Sequence, residues 1–419
     1  MTQPTFPLSV SPNKRFLVDA RNQPFFYGAD TPWMLMLNLN LPETREYFAA
    51  RKAQGFSALQ VMFTGFYGMK NRDGFLPFED DDFSKPTEEF WAHSDKVVKL
   101  AEDMGLYLMI APLWSGCCGE GWAGAKKEGG LKPLNINGNE KARAWGRWLG
   151  ARYGSAKNVG WLLGGDKNPG ESHELIRQIG QGLHEIAPTQ LKAVHNAPEN
   201  SSAAFYDDQP WLSLNAAYTY REVWAHVLGE WNRPNVRPIF LSESGYENEA
   251  NDGRWGNPFR MRRQAYGAIL AGALAGHAYG HRDGWRINDR WREGLKDAGS
   301  AQMGLVRRFF ESVNWSDLQP QSGETWVTSG RGEVGKDDFL PAAKTPDDDL
   351  GVVYVPVSRA FSLDLSGFQA PIQAQWFDPT NGEFQAISGV SGGETQEFSP
   401  PETNATGESD WVLVVENTK

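Results

Sequence analysis

Eight times before residue 285 the chain alternates a short apolar run with a helical or loop segment, and few folds accept that pattern. The runs are Phe25–Asp30, Ser57–Phe63, Tyr107–Pro112, Val159–Asp166, Lys192–Ala197, Trp211–Tyr218, Pro238–Glu243 and Gly276–His281. Their length and their bounding Gly, Pro and Asn residues read as buried strands. Between them, Glu43–Gln54, Thr87–Met104, Asn139–Tyr153, Ser172–Ile186 and Pro258–Leu274 carry a helical period, and several stop at glycine or before proline. Strand–helix alternation repeated eight times is the signature of an α/β chain closed into a (β/α)8 TIM barrel. A hairpin over Arg15–Asp19 and Phe25–Asp30 leads into the first strand and is placed to plug the barrel floor.

After about residue 315 the pattern changes to short alternating strands such as Gly351–Val357, Ala360–Leu365, Ile372–Phe377 and Trp411–Val415. This predicts a small antiparallel β-sandwich with Trp376 and Trp411 in its core. At 419 residues the chain exceeds one ordinary hydrophobic core, so the expected division is a barrel over 1–315 and a sandwich over 316–419.

Composition narrows the function. A formal charge of −11, with no basic run, argues against nucleic acid. No stretch approaches the ~20 apolar residues that cross a bilayer, so no membrane partner is expected. MTQPTFPLSV lacks a basic region followed by an apolar core, which predicts a chain that is cytoplasmic as written or exported with its signal already removed. The two cysteines, Cys117 and Cys118, are neighbours and read as loop thiols, short of a metal-ligand set. The 17 Trp, 12 Tyr and 23 Phe, many beside Gly or Asp in loops, suit the apolar faces of sugars as well as an ordinary core.

In a barrel of this kind the active site lies at the C-terminal ends of the strands. Asp166 ends the fourth run behind Gly164 and Gly165, and Glu243 ends the seventh. Period two places Glu243 on the face of Ile239 and Leu241, which by this reading points it into the barrel. Two carboxyls facing each other across a sugar are what glycoside hydrolysis requires, at ~5–5.5 Å for retention of configuration. The competing structural roles are helix capping for Asp166 and an ion pair with an arginine such as Arg262 for Glu243. Glu247 lies too far into the loop to be preferred. Asp30, Trp33, Trp114, His195, Tyr218 and His281 sit at or just beyond other strand ends and are the candidate substrate-binding residues, Tyr218 being expected to hydrogen-bond Glu243. His277 and His281 lack a helical zinc-binding context, and no phosphate loop, serine elbow or dinucleotide fingerprint occurs, so neither metal nor cofactor is expected.

The segments Gly28–Trp33 (GADTPW), Arg51–Phe56 (RKAQGF), Trp161–Pro169 (WLLGGDKNP) and Ser242–Tyr246 (SESGY) resemble the apiosidase-like glycoside hydrolases, family 140. Tyr354-Val355-Pro356, Ala374–Pro379 (AQWFDP), Asn381-Gly382 and Asp410–Leu413 (DWVL) resemble the sandwich that follows that module and bears a collagen-binding label. The resemblance spans nearly the whole chain. It implies Asp166 as acid/base, Glu243 as nucleophile, and release of apiose, a branched furanose, from plant glycosides or pectin side chains. Related barrels place Asn-Glu where Gly165-Asp166 stands here. The alternatives are a glycosidase of the same mechanism acting on another furanoside or a uronide, and a non-catalytic carbohydrate- or collagen-binding protein. Collagen binding is disfavoured, because a sandwich appended to a hydrolase more often packs on the barrel.

Overall fold

A computed structural model describes residues 4–116, 118–127, 130–369 and 371–418. All eight expected runs contain strands: β1 Tyr27–Asp30, β2 Ala58–Met62, β3 Tyr107–Ala111, β4 Val159–Gly164, β5 Lys192–His195, β6 Asn215–Tyr218, β7 Ile239–Glu243 and β8 Gly276–Tyr279. They neighbour one another in the order β5-β4-β3-β2-β1-β8-β7-β6, with the short strand Asn200–Ser201 antiparallel to β6. The two ends of this sheet meet. Leu214 N–H donates to the Lys192 carbonyl at 3.1 Å. The Ser202 hydroxyl accepts from Val194 and Ala216 N–H and donates to Val194 O, so one side chain spans β5 and β6 where no backbone ladder runs.

Helices wrap the outside. Leu41–Ala53 opens with a capping box in which Asn40 accepts from Glu43 N–H while Glu43 accepts from Asn40 N–H. The hairpin expected at the floor is a three-stranded antiparallel sheet of Ser9–Val10, Leu17–Val18 and Pro24–Phe25. Phe25 packs on Tyr107, at the N-terminal end of β3, which places this sheet under the barrel.

The C-terminal region forms two antiparallel sheets. The larger runs, in spatial order, Gln319–Pro320, Ala342–Lys344, Leu350–Val355, Trp411–Asn417, Ile372–Phe377 and Phe384–Ile387; the smaller is Val327–Ser329, Phe361–Asp364 and Thr395–Phe398. Alternation within Leu350–Val355 divides its side chains. Val353 and Val355 join Trp376, Trp411 and Leu363 between the sheets. Val352 and Tyr354 face the other way and pack with Val306, Phe309 and Phe310 of helix Ala298–Glu311. Each such buried side chain contributes roughly 1.5–3 kcal/mol, so barrel and sandwich share a continuous apolar seam.

Candidate active site

At the end of β4 the chain turns through three consecutive positive φ angles, 78° at Gly164, 132° at Gly165 and 39° at Asp166. A Cβ at Gly164 would lie 2.5 Å from the His195 carbonyl, and one at Gly165 would lie 2.5 Å from the Trp114 ring. The glycines therefore let β4 pass between the ends of β3 and β5. Backbone bonds from Ser115 N–H to Gly164 O and from Gly165 N–H to His195 O hold the turn. Asp166 pays for this path with a left-handed backbone, a strain that folds keep where it positions a side chain.

Glu243 reaches the same mouth by a different device. Ile239 and Leu241 pack outward with Val227 and Met261, whereas Phe240 packs on Tyr27 with ring centroids 5.3 Å apart. Strict alternation would thus turn Glu243 out of the barrel, the reverse of the expected parity. A bulge corrects this: Ala217 pairs with Leu241 but Tyr218 pairs with Glu243, so β7 holds an extra residue, Ser242, at this point.

The Glu243 carboxylate is buried and served by three donors. Tyr218 and Tyr220 hydroxyls donate to Oε1 at 3.1 and 2.9 Å, and His195 Nε2 lies 3.0 Å from Oε2. The Tyr218 hydroxyl is also 3.2 Å from Asp166 Oδ1. This common neighbour limits Asp166 Oδ1 and Glu243 Oε1 to about 6.3 Å apart, below the ~6.5–9.5 Å of carboxyl pairs that hold a water between them. Burial, followed by the charge of Glu243, pushes the Asp166 carboxyl up to about 7. His195 is wholly buried, stacked between Trp114 at 5.3 Å and Tyr218 at 4.8 Å.

Asp166 and Glu243 open onto a cavity of about 410 Å³ walled by Trp33, Trp114, Tyr246 and Trp285 among others. Trp33 donates its indole N–H to Tyr246 Oη at 2.7 Å. Of the expected binding residues, Trp33 and Trp114 line this cavity, and His195 and Tyr218 stand behind Glu243. Asp30 and His281 do not join them. Asp30 has the outward parity of Phe26 and forms a buried ion pair with Arg51 at 2.7 Å. His281 contacts Asp297 at 2.8 Å and accepts the Asp283 N–H, capping helix Arg282–Trp285. Arg262 pairs with Asp410 rather than with Glu243, and Glu247 accepts from Tyr279 and from Gly299 N–H. Among the described residues no cluster of three or more His, Cys, Asp or Glu side chains could hold a metal. The loop-thiol expectation fails at Cys118, which is disulfide-bonded. Cys117 lies outside the described residues.

Residues 11–317 match the family model described as "Apiosidase-like, catalytic domain", and residues 330–416 match "Putative collagen-binding domain of a collagenase". The chain belongs to the apiosidase-like family. Among solved structures it is similar to a protein named "Glycoside hydrolase", at 22% identity and TM-score 0.86 over 99% of this chain and 97% of that one. A glycoside hydrolase family 5 protein from Bacteroides vulgatus gives 23% and 0.86 over 99% and 95%. A GH30 endoxylanase from Clostridium papyrosolvens gives 9% and 0.52 over 99% of each chain. At these identities the likeness is one of fold. No curated protein matches. The apiosidase-like chain is a glycosidase, and its substrate is a carbohydrate.

Several cavity residues of this apiosidase-like enzyme escaped the sequence reading. Tyr220 shares strand parity with Tyr218, a signal that was present. Glu249 and Asn251 come from a loop and the short hairpin strand after β7, and Trp285 from the segment after β8. Trp285 donates its indole N–H to Glu249 at 3.1 Å, and the Arg286 guanidinium lies 4.3 Å above the Trp285 ring. Burial raises the Glu249 carboxyl above its ordinary value.

Proposed function

We propose that this chain is a retaining glycosidase of family 140 that releases a neutral furanose such as apiose from plant glycosides or pectin side chains. Glu243 is the nucleophile and Asp166 the acid/base. The observation that carries this reading is the Tyr218 hydroxyl shared by the two carboxyls, because it keeps them closer than the spacing an inverting water requires. The furanose rests on the family description. A neutral sugar is favoured over a uronide by the cavity lining, where among the described residues Glu120, Glu243 and Glu249 outnumber the one arginine, Arg286. The sandwich is read as a buttress of the barrel rather than a collagen-binding module, since its larger sheet is covered by barrel helices.

With its carboxyl pushed up to about 7, Asp166 can carry the proton that the departing oxygen needs. Glu243 attacks the anomeric carbon while Asp166 protonates the glycosidic oxygen, so the aglycone leaves as an alcohol. Ester formation removes the Glu243 charge, one of the causes that hold the Asp166 carboxyl up. Asp166 then becomes the base that takes a proton from water, and the water attacks the glycosyl-enzyme. In Asp166→Ala, an aryl glycoside with a good leaving group should still be cleaved, and added azide should yield a glycosyl azide of retained configuration. Equal impairment on activated and natural glycosides, with no response to azide, would reject the assignment.

A further inference from the structure

Ser242 exists at its place because β7 carries one residue more than β6 where Glu243 turns inward. Its side chain is wholly buried. The hydroxyl donates to the Ala217 carbonyl at 3.0 Å, and the same oxygen lies 3.3 Å from His195 Nδ1. A hydroxyl has one hydrogen to give and two lone pairs. With that hydrogen on the carbonyl, Ser242 offers Nδ1 only lone pairs, and Nδ1 must bear a hydrogen to make the contact favourable. At the other side of the ring Nε2 faces Glu243 Oε2 at 3.0 Å. An ionised carboxylate only accepts, so Nε2 must bear a hydrogen too.

We infer that Ser242 is a positioning residue that holds His195 as an imidazolium, protonated on both nitrogens, so that the ionised Glu243 is matched by a buried cation. The inference rests on Glu243 being the nucleophile proposed above. The surroundings fit a cation. The ring is faced by Glu243 from β7, by Asp166 from the end of β4, by the Tyr218 ring from β6, and by the Trp114 and Trp33 rings from the loops after β3 and β1. Aromatic faces favour a cation. A carboxylate held 3.0 Å from a cation keeps the negative charge that nucleophilic attack uses, and the bulge that aims Glu243 also supplies the oxygen that keeps the second ring proton in place.

The test uses the full chain labelled with ¹⁵N-histidine, the His195 signals being assigned by their loss in His195→Gln. Near neutral pH both ring nitrogens of His195 should be protonated in the unsubstituted enzyme. Ser242→Ala should leave a single ring proton, lower kcat about tenfold at nearly unchanged KM, and move the acid limb of the kcat/KM profile to higher pH. Ser242→Thr keeps the hydroxyl and should restore the second proton and the limb. A singly protonated His195 in the unsubstituted enzyme overturns the inference, as does a Ser242→Ala variant with both ring protons and an unmoved profile. Survival of turnover in Glu243→Gln would instead overturn the nucleophile assignment, because the proton count on His195 is read without reference to turnover.

Discussion

Two buried charge clusters, one at the barrel mouth and one at the seam with the sandwich, each hold a carboxylate with a tyrosine hydroxyl and are matched very differently. At the seam Arg262 gives Nε and Nη2 to the two oxygens of Asp410, each at 2.7 Å, and further bonds to Gln302 and Glu408. Asp410 also accepts from Tyr354 and Asn404. Both partners are wholly buried, and each side of the pair is saturated. At the mouth two carboxyls share one tyrosine hydroxyl, and burial pushes one of them up to about 7. Complete matching fixes a geometry, whereas incomplete matching leaves a group able to gain and lose a proton during turnover.

The largest expected effect separates the two clusters by readout. Glu243→Gln should cut kcat/KM by about 10⁴-fold or more, since no glycosyl-enzyme can form, while the variant still folds and unfolds in one cooperative urea transition. A variant that loses rate only because it unfolds would place Glu243 among structural carboxylates like Asp410.

Much of the fold around these clusters is legible in the sequence. The eight runs became eight strands because each is apolar and bounded by residues that break strands, and Asp166 stands on the cavity at the end of its strand, where position alone put it. Trp376 and Trp411 lie in the sandwich core as alternation predicts. What could not be read were departures from period two. The bulge at Ser242 has no local sequence mark, and without it Glu243 faces the helices. Asp30 and His281 were misplaced because a polar residue near a strand end carries no sign of which way it turns. The seam ion pair links residues 148 positions apart, and nothing in the neighbourhood of Arg262 names Asp410 as its partner.

Exchanging a carboxylate for an amide should then act with opposite sign at the two places. Asp410→Asn leaves Arg262 buried without its counter-charge and should cost about 3–5 kcal/mol of unfolding free energy. Asp166→Asn should stabilise, by about 1 kcal/mol or more near neutral pH. The sign follows from linkage. The unfolded Asp166 releases its proton at about 3.8 and the folded one at about 7, so as pH rises through that window the folded state is progressively disfavoured, and the amide removes the penalty. Destabilisation by both substitutions, measured in urea at neutral pH, would end the comparison.

A third buried group is matched by nothing among the described residues. His277 on β8 packs edge-on to Phe26 with ring centroids 6.0 Å apart, and neither ring nitrogen has a hydrogen-bond partner among them. Burial pushes its imidazole down to about 4. The unfolded chain therefore takes up this proton first, at about 6.5. The stability is fully present above that pH, falls as pH drops, and has lost about 3 kcal/mol by pH 4. In His277→Leu that part of the acid slope should vanish, and identical slopes in the two proteins would show that the ring is relieved by another route.

The finest comparison uses two tyrosines that make the same bond. Tyr220 donates to Glu243 Oε1 at 2.9 Å, and Tyr354 donates to Asp410 Oδ2 at 2.9 Å. Tyr354→Phe leaves Asp410 with Arg262 and Asn404 in place, so the loss should be about 1–2 kcal/mol of stability, the worth of one bond to a charged acceptor, with kcat unchanged. Tyr220→Phe should leave stability within about 1 kcal/mol but lower kcat by about tenfold. The reason is that Glu243 changes charge along the reaction and Asp410 does not. As Glu243 gives its electron pair to the anomeric carbon, the hydrogen bonds that held its charge and direction are the ones whose loss is felt in the barrier. If both variants lose stability equally and neither loses rate, Tyr220 holds Glu243 in place no more specifically than Tyr354 holds Asp410, and Tyr218 and His195 alone orient the carboxylate.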